Sequence, residues 1–111
     1  MPFGHVILYW GFEPSGLRPQ PSILILDVRT PDEYAEGRVP NAINIPHNEI
    51  DQHIALITQA EKEGKEIVVY CRSGRRAGHA ESVLQNAGIK TLFHLKGDMN
   101  AWTQSKQPIE R

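Results

Sequence analysis

Two apolar, β-branched runs constrain the fold of this chain more than any other feature. Residues 23–28 are nearly all apolar, and residues 67–70 form a second run of the same kind. Runs of this length without polar alternation are typical of strands buried on both faces, as in a parallel sheet. Each run is followed by a polar loop and a helical pattern. The sequence therefore predicts an α/β domain with a mainly parallel sheet flanked by helices.

The other elements are predicted from shorter signals. Thr30 as an N-cap, Pro31 at the first helical position and Glu33 completing a capping box predict a short helix that ends at Gly37. Further strands are predicted at 42–45 and 91–95, and further helices at 49–62 and 98–104, with another whose apolar stripe runs from 77 to 87. We expect residues 23–111 to form one domain and residues 1–22 to form an N-terminal arm with a Pro/Gly-rich connector. The arm is predicted to be an edge strand, with a dimer-forming arm as the alternative.

Length and charge exclude several classes of protein. At 111 residues the chain is long enough for one domain with a real core. A net charge of −1 without a basic stripe argues against nucleic acid as a partner. No stretch is long enough to span a membrane, and the apolar N-terminal run lacks the basic start and cleavage site of a signal peptide. We expect a cytoplasmic monomer or homodimer, with the periplasm as the alternative if a signal peptide was removed.

Cys71 is the single cysteine of the chain. One cysteine allows no internal disulfide, no Cys-x-x-Cys redox pair and no structural zinc site, and the five histidines share no metal-ligand spacing. We therefore expect no cofactor and no metal. Any oxidised or sulfur-loaded form of Cys71 must be discharged by an outside molecule.

The position of Cys71 favours a reactive thiol. It follows a predicted buried strand and precedes a helix, at the edge of the sheet where open α/β folds keep their chemistry. The N–H groups at the start of that helix, together with Arg72, Arg75 and Arg76, favour the thiolate form. The alternative is an inert buried cysteine, which is the commoner fate of a lone thiol. Three arginines within five residues make a poor environment for that alternative.

Three segments together resemble the rhodanese domain family, the single-domain thiosulfate sulfurtransferase-like proteins. They are residues 26–46, which read LDVRTPDEYAEGRVPNAINIP, the Cys71 loop, and residues 95–102, which read LKGDMNAW. The resemblance implies the rhodanese fold, with a five-stranded, mainly parallel sheet flanked by helices, and sulfur transfer through a persulfide on Cys71. The chain departs from the family at Arg38, where histidine is usual, and at Asp98, where a second glycine is expected. Both positions are distant from Cys71 in sequence, so we expect them to affect local packing more than chemistry.

This chemistry assigns a role to each residue of the loop. Cys71 would be the nucleophile that attacks the outer sulfur of thiosulfate or a similar anionic donor. The backbone N–H groups of residues 72–76 would form a cradle, with Ser73 and Gly74 permitting its tight curl. Arg72 and Arg75 are the predicted grips on the donor, and Arg76 is a weaker third. A generic thiol such as glutathione, a thioredoxin-like protein or cyanide would serve as the acceptor.

Two other functions remain open. Cysteine phosphatases use a Cys-x5-Arg loop, but the sixth residue after Cys71 is Ala77, and Arg76 comes one position early. The shorter loop favours a sulfur atom over phosphate or arsenate. A persulfide-relay or binding module that serves a protein partner would keep the same chemistry with little turnover of small donors. Arg29 also ends a predicted strand near this edge, where an ion pair with a carboxylate such as Glu33 is preferred to a role in the pocket.

Overall fold

The structure is a computed structural model that describes residues 6–7 and 23–111. The strands are β1 (Val6–Ile7), β2 (Ile23–Asp27), β3 (Ile43–Asn44), β4 (Glu66–Tyr70) and β5 (Leu92–Leu95). The α-helices are α1 (Pro31–Glu36), α2 (Ile54–Lys62), α3 (Arg75–Asn86) and α4 (Asp98–Gln104), and a 3₁₀ helix spans His47–His53.

The strands form one parallel sheet in the order β1-β5-β4-β2-β3. Four of them lie within residues 23–111, where the sequence predicts four strands. The fifth position, at the edge beside β5, is occupied by the two-residue strand β1. Because β4 lies between β5 and β2, Cys71 emerges at the centre of the carboxyl edge of the sheet.

Both faces of β4 are buried, as its apolar sequence predicts. Ile67, Val69 and Cys71 point into a core shared with α2 and α3, whereas Val68 and Tyr70 point into a core that includes Trp102 of α4. Alternate side chains of a strand point to opposite faces, so an unbroken apolar run serves two cores. The sheet is therefore a middle layer between two helical layers, which confirms the predicted α/β architecture.

The helices agree with their predicted positions except at one start. In α1 the Thr30 hydroxyl accepts a hydrogen bond from the Glu33 N–H, and the Glu33 carboxylate accepts one from the Thr30 N–H, so the capping box is confirmed. The helix predicted at 49–62 was wrong in its first part, where the 3₁₀ helix precedes α2. No side chain caps the start of either segment. Without such a cap, apolar spacing alone does not distinguish a tight 3₁₀ start from an α-helix.

The predicted N-terminal arm is described only at Val6–Ile7, which lie at the edge of the sheet beside β5 as predicted for an edge strand. Residues 1–5 and 8–22 lie outside the described residues, so the dimer-forming arm stays a prediction. Within the described part of the chain, no helix has the length and apolar character needed to cross a membrane.

Candidate active site

Cys71 is almost fully enclosed, with only 1% of its surface exposed. It directly follows β4, and three residues later Gly74 takes a φ of 118°, which lets the chain turn sharply into α3. A side chain at Gly74 would be strained in this conformation. The predicted strand, loop and helix around the thiol are thus confirmed.

The Cys71 sulfur receives hydrogen bonds from the first turn of α3. The Gly74 N–H donates to Sγ at 3.0 Å, and the Ala77 N–H approaches Sγ at 3.4 Å. These backbone donors and the positive end of the α3 dipole stabilise an anionic sulfur. The loop is also tied to α4, because the Met99 N–H donates to the Cys71 carbonyl and the Asn100 N–H donates to the Arg72 carbonyl.

The predicted substrate-binding residues, 72–76, directly follow Cys71 in the chain and differ in their exposure and partners. The side chains of Arg72, Ser73 and Arg75 are exposed. Among the described residues, neither Arg72 nor Arg75 has an ion-pair partner, so both guanidinium groups are available to an anion. Of the N–H groups of residues 72–76 that were predicted to form a cradle, the one shown to donate to the sulfur is that of Gly74, and the second donor, Ala77, lies just beyond that range.

Arg76, predicted to be a third grip on the donor, forms an ion pair with Glu33. Its guanidinium donates to both carboxylate oxygens of Glu33, at 2.7 and 3.1 Å. The hydrogen bonds from Arg76, helped by those from Thr30, lower the pKa of Glu33 to about 2 despite its partial burial. The third predicted grip on a donor is therefore already engaged by a carboxylate of α1.

A buried cluster on the β2 side of the loop, the Arg29 cluster, consists of Asp27, Arg29 and Tyr70. Arg29 donates to the Asp27 carboxylate through Nε and Nη2, and Nη2 also donates to the Gly37 carbonyl. The Tyr70 hydroxyl donates to Asp27 at 2.6 Å and accepts from the Val39 N–H. Arg29 was correctly expected to form an ion pair, but its partner is Asp27, and the expectation of a partner such as Glu33 was wrong. The bidentate geometry available within two residues explains that choice.

A second cluster on the β5 side, the His94 cluster, was missed by the sequence reasoning. It consists of Glu81 of α3, His94 of β5 and Asp98 of α4. Asp98 Oδ1 accepts the Cys71 N–H at 3.0 Å, Asp98 Oδ2 lies 2.9 Å from His94 Nε2, and Glu81 Oε2 lies 2.5 Å from His94 Nδ1. The departure at Asp98 was expected to matter for packing more than for chemistry, yet its carboxylate contacts the backbone of the nucleophile.

Two signals in the sequence point to this cluster. Glu81 lies four residues after Ala77 and three before Leu84, so it shares the apolar face of α3, where a charged residue needs a partner. Asp98 occupies a position where the family favours glycine, and its φ of 56° shows why. The three members of the His94 cluster come from α3, β5 and α4, and sequence spacing alone does not show that these elements meet.

A polar cleft of about 410 Å³ opens beside the loop, between α1 and α4. Arg72 and Arg29 line it together with Glu36 and Asn100. Of the residues that the structure describes, no group of three or more His, Cys, Asp or Glu side chains has the arrangement of a metal site. The site is therefore built from a thiol, backbone donors and guanidinium groups.

Comparison with known proteins assigns this architecture to a family. Residues 16–105 match the family model described as a rhodanese-like domain. A crystal structure of a rhodanese-related protein from Thermoplasma volcanium is similar to this chain, with a TM-score of 0.69, 27% identity, and 80% of this chain and 84% of that one covered. The fold expected from the resemblance is thus shown.

Curated relatives carry related descriptions. A sulfurtransferase of Allochromatium vinosum is 34% identical over 78% of this chain and 78% of its own length. The thiosulfate:glutathione sulfurtransferase of Saccharomyces cerevisiae is 33% identical over 74% of this chain and 66% of its own length. An uncharacterized protein of Synechocystis is 35% identical, and this chain spans about half of it, 49% of its length.

Proposed function

Because this chain belongs to the family of rhodanese-like domains, we propose that it is a sulfurtransferase that carries sulfane sulfur as a persulfide on Cys71. The donor is thiosulfate or a related anion, and the acceptor is a thiophilic molecule. The observation that carries the proposal is the pair of N–H donors that α3 directs at Cys71 Sγ. Sulfurtransferase relatives at about one third identity support the same reaction class.

The first half-reaction loads the cysteine. The Cys71 thiolate attacks the outer sulfur of thiosulfate, a new S–S bond forms at Sγ, and the S–S bond within thiosulfate breaks, with its electron pair leaving on sulfite. One thiolate and one dianion become one persulfide anion and one sulfite dianion, so charge and atoms balance. Backbone donors already aimed at the sulfur need little reorganisation as charge moves along the S–S axis.

The second half-reaction discharges the persulfide. The acceptor attacks the outer sulfur of the persulfide, and the Cys71 thiolate leaves. Cyanide would become thiocyanate, and a thiolate would become a persulfide. A small thiol such as glutathione is supported by the yeast relative described as a thiosulfate:glutathione sulfurtransferase. Thioredoxin-like proteins satisfy the same chemistry.

Arg72 and Arg75 hold the donor in this proposal. Both residues are exposed and flank Ser73 and Gly74 in the sequence, and a dianion bound by their guanidinium groups would gain charge-assisted hydrogen bonds. Truncation of either arginine to alanine removes about 1.5–3 kcal/mol of donor binding. That corresponds to a loss of roughly ten- to hundred-fold in kcat/KM for thiosulfate. Lys62→Ala, which removes an exposed cation of α2, is the matched control and leaves the kinetics unaltered.

The decisive experiment is the intact mass of the reduced protein after incubation with thiosulfate, beside Cys71→Ser. A gain of one sulfur atom that cyanide removes, and that the variant lacks, is the expected result. If thiosulfate adds no sulfur but a protein persulfide donor loads Cys71 rapidly, the protein is a persulfide relay that serves a protein partner and not a thiosulfate-using enzyme. Aryl phosphate hydrolysis that disappears in Cys71→Ser would overturn sulfur transfer in favour of a phosphatase.

A further inference from the structure

The His94 cluster has no part in the two half-reactions, yet it is buried directly behind the nucleophile. The side chain of Asp98 is 2% exposed, that of Glu81 7% and that of His94 21%. Bringing three ionisable groups together out of water is costly unless they are paired and hydrogen-bonded. The cluster meets that condition through contacts from α3, β5 and α4, and one of those contacts ends at the Cys71 N–H.

The geometry favours a positive charge on His94. Both ring nitrogens face a carboxylate oxygen, at 2.5 Å for Glu81 and 2.9 Å for Asp98. An ionised carboxylate only accepts hydrogen bonds, so each of these contacts needs an N–H on the ring. A ring with two N–H groups is an imidazolium cation. Burial of the ring opposes this charge, but the hydrogen bonds and attraction of Asp98 and Glu81 outweigh it and raise the pKa of His94 to about 10.

Asp98 supports the loop at two points. Its Oδ1 accepts the Cys71 N–H, and its Oδ2 lies 3.2 Å from the place where a Cβ on Gly74 would stand. Gly74 in turn donates its N–H to Cys71 Sγ. A displacement of the Asp98 carboxylate would therefore move the backbone of the nucleophile, next to the residue whose N–H faces its sulfur.

A carboxylate in this place carries an electrostatic problem. A negative charge behind Cys71 opposes a second negative charge on its sulfur, whether that is a thiolate or a persulfide. The other charged groups near the loop are Arg72 within it, Arg75, Arg76 and Glu81 on α3, Glu33 paired with Arg76, and the Asp27–Arg29 pair on the β2 side. Arg76 is paired with Glu33, so His94 is the cation in direct contact with Asp98.

We propose that His94 is a positioning residue for Cys71: its imidazolium holds the Asp98 carboxylate against the loop and neutralises the charge that this carboxylate would present to an anionic sulfur. The inference rests on the proposed function in assigning sulfur chemistry to Cys71. With His94 charged, the cluster carries one net negative charge, whereas without that cation two carboxylates remain behind the nucleophile. The support is therefore available at neutral pH with one negative charge fewer behind the sulfur.

Two neutral variants separate this role from a merely structural one. His94→Gln removes the cation and leaves both carboxylates, so the pH midpoint of Cys71 alkylation by iodoacetamide should rise by about one unit. Asp98→Asn removes the anion and tolerates the positive φ, and its one amide oxygen can accept from the Cys71 N–H or from His94 Nε2–H but not from both. The midpoint should fall, by up to about one unit where the ring keeps its charge. A structural defect alone has no reason to move the two variants in opposite directions.

The control is His79→Gln, which alters an exposed histidine of the same helix as Glu81 and should leave the midpoint unchanged. Circular dichroism and thermal unfolding establish that each variant is folded. If His94→Gln does not fold, Glu81→Gln replaces it and should lower the midpoint by less than Asp98→Asn does, because Glu81 touches Asp98 only through His94. For His94→Gln and Asp98→Asn, shifts of the same sign, or none above about 0.3 units, would overturn the proposal, and so would a fall for Glu81→Gln as large as that for Asp98→Asn.

The same variants connect the effect to sulfur loading. His94→Gln should load sulfur from thiosulfate about tenfold more slowly at pH 6.5, and raising the pH should restore the rate. Alkylation requires no sulfur donor, so it reports on His94 even if thiosulfate fails to load the wild type. If the alkylation midpoints shift in opposite directions but thiosulfate loads no sulfur on the wild type, the proposed sulfurtransferase function is wrong. The role of His94 in positioning Cys71 then still holds. Sulfur loading of the wild type without opposite alkylation shifts in the two variants would support the sulfurtransferase and overturn the role of His94.

Discussion

The two buried clusters that flank the Cys71 strand differ in the cation at their centre. On the β2 side, Asp27 is paired with Arg29, and on the β5 side, Asp98 is paired with His94. Each aspartate is fully or nearly fully buried. Arginine keeps its charge at every accessible pH, whereas histidine can release its proton. Similar arrangements therefore provide a permanent clamp on one side of the strand and a titratable support on the other.

The clusters also differ in what they hold. The Arg29 cluster joins the end of β2 to the Gly37 carbonyl and, through Tyr70, to the Val39 N–H, so it connects parts of the scaffold. The His94 cluster ends at the Cys71 N–H. The cluster that connects parts of the scaffold therefore contains arginine, whose charge does not change. The cluster that supports the nucleophile contains histidine, which can lose its proton.

The largest expected effect is the unequal cost of removing one carboxylate charge from each cluster. Asp27→Asn leaves the Arg29 guanidinium buried without its counter-ion and should lower the free energy of unfolding by about 3–5 kcal/mol. Asp98→Asn leaves His94 with Glu81 and with the option of losing a proton, so the loss should be about 1–2 kcal/mol. Urea denaturation at pH 7 measures both. Equal losses in the free energy of unfolding would mean that the two clusters do not differ in the way that their cations predict.

The second effect is a pH dependence that only the His94 cluster can produce. The pKa of His94 is about 10 in the folded protein and near 6.5 in the unfolded chain. Below pH 6.5 the ring is charged in both states, and its contribution to stability is complete. Between these values unfolding releases the proton, so the contribution shrinks as the pH rises and is lost above about 10.

The measurement compares the protein with its His94→Gln variant, both in a Cys71→Ser background so that neither protein carries a thiol. The difference in the free energy of unfolding between the two proteins should fall by about 1–3 kcal/mol from pH 7 to pH 9.5. The Arg29 cluster, including Tyr70 with its pKa raised by burial, is the same in both proteins and cancels in this difference. A constant difference across this range would show that His94 is not a buried cation.

Local patterns made most of the fold predictable. The unbroken apolar runs of β2 and β4 show on their own that both faces are covered, and Thr30 with Glu33 marks the start of α1 without reference to anything distant. The start of the 3₁₀ helix lacks such a local mark, since Pro46 before it offers no side-chain cap. The two-residue strands β1 and β3 carry too few side chains for periodicity to set their bounds.

The site was predictable only where it lies along one stretch of chain. The Cys71 loop and α3 are continuous in sequence, so the backbone donors to Sγ follow from the strand–loop–helix pattern. The partner of Arg29 was assigned wrongly because two carboxylates, Asp27 and Glu33, lie within four residues of it, and the choice depends on rotamer geometry. The contact of Asp98 with Cys71 spans 27 residues and depends on the folded sheet.

The smallest effect uses the Arg76–Glu33 pair as a third case, in which an arginine is paired without deep burial. Both side chains are about one quarter exposed, at 27% and 25%. Glu33→Gln should therefore lower the free energy of unfolding at pH 7 by no more than about 1 kcal/mol. Since the pKa of Glu33 is held at about 2, the contribution of the pair is complete above pH 4.5 and is lost as the pH falls towards 2.

Glu33→Gln also shows whether the cost of freeing an arginine depends on its burial or on its charge alone. The same variant tests the predicted role of Arg76 in holding the donor. If burial makes the Arg29 cluster a clamp, Glu33→Gln will cost several-fold less than Asp27→Asn although both free an arginine. The released Arg76 can then turn to the loop, and the KM for thiosulfate should fall by no more than about threefold, the scale of one exposed ion pair. A stability loss as large as that of Asp27→Asn would show that pairing an arginine is sufficient and burial is not needed. A rise in KM would instead mean that Arg76 serves the donor best while it is held by Glu33.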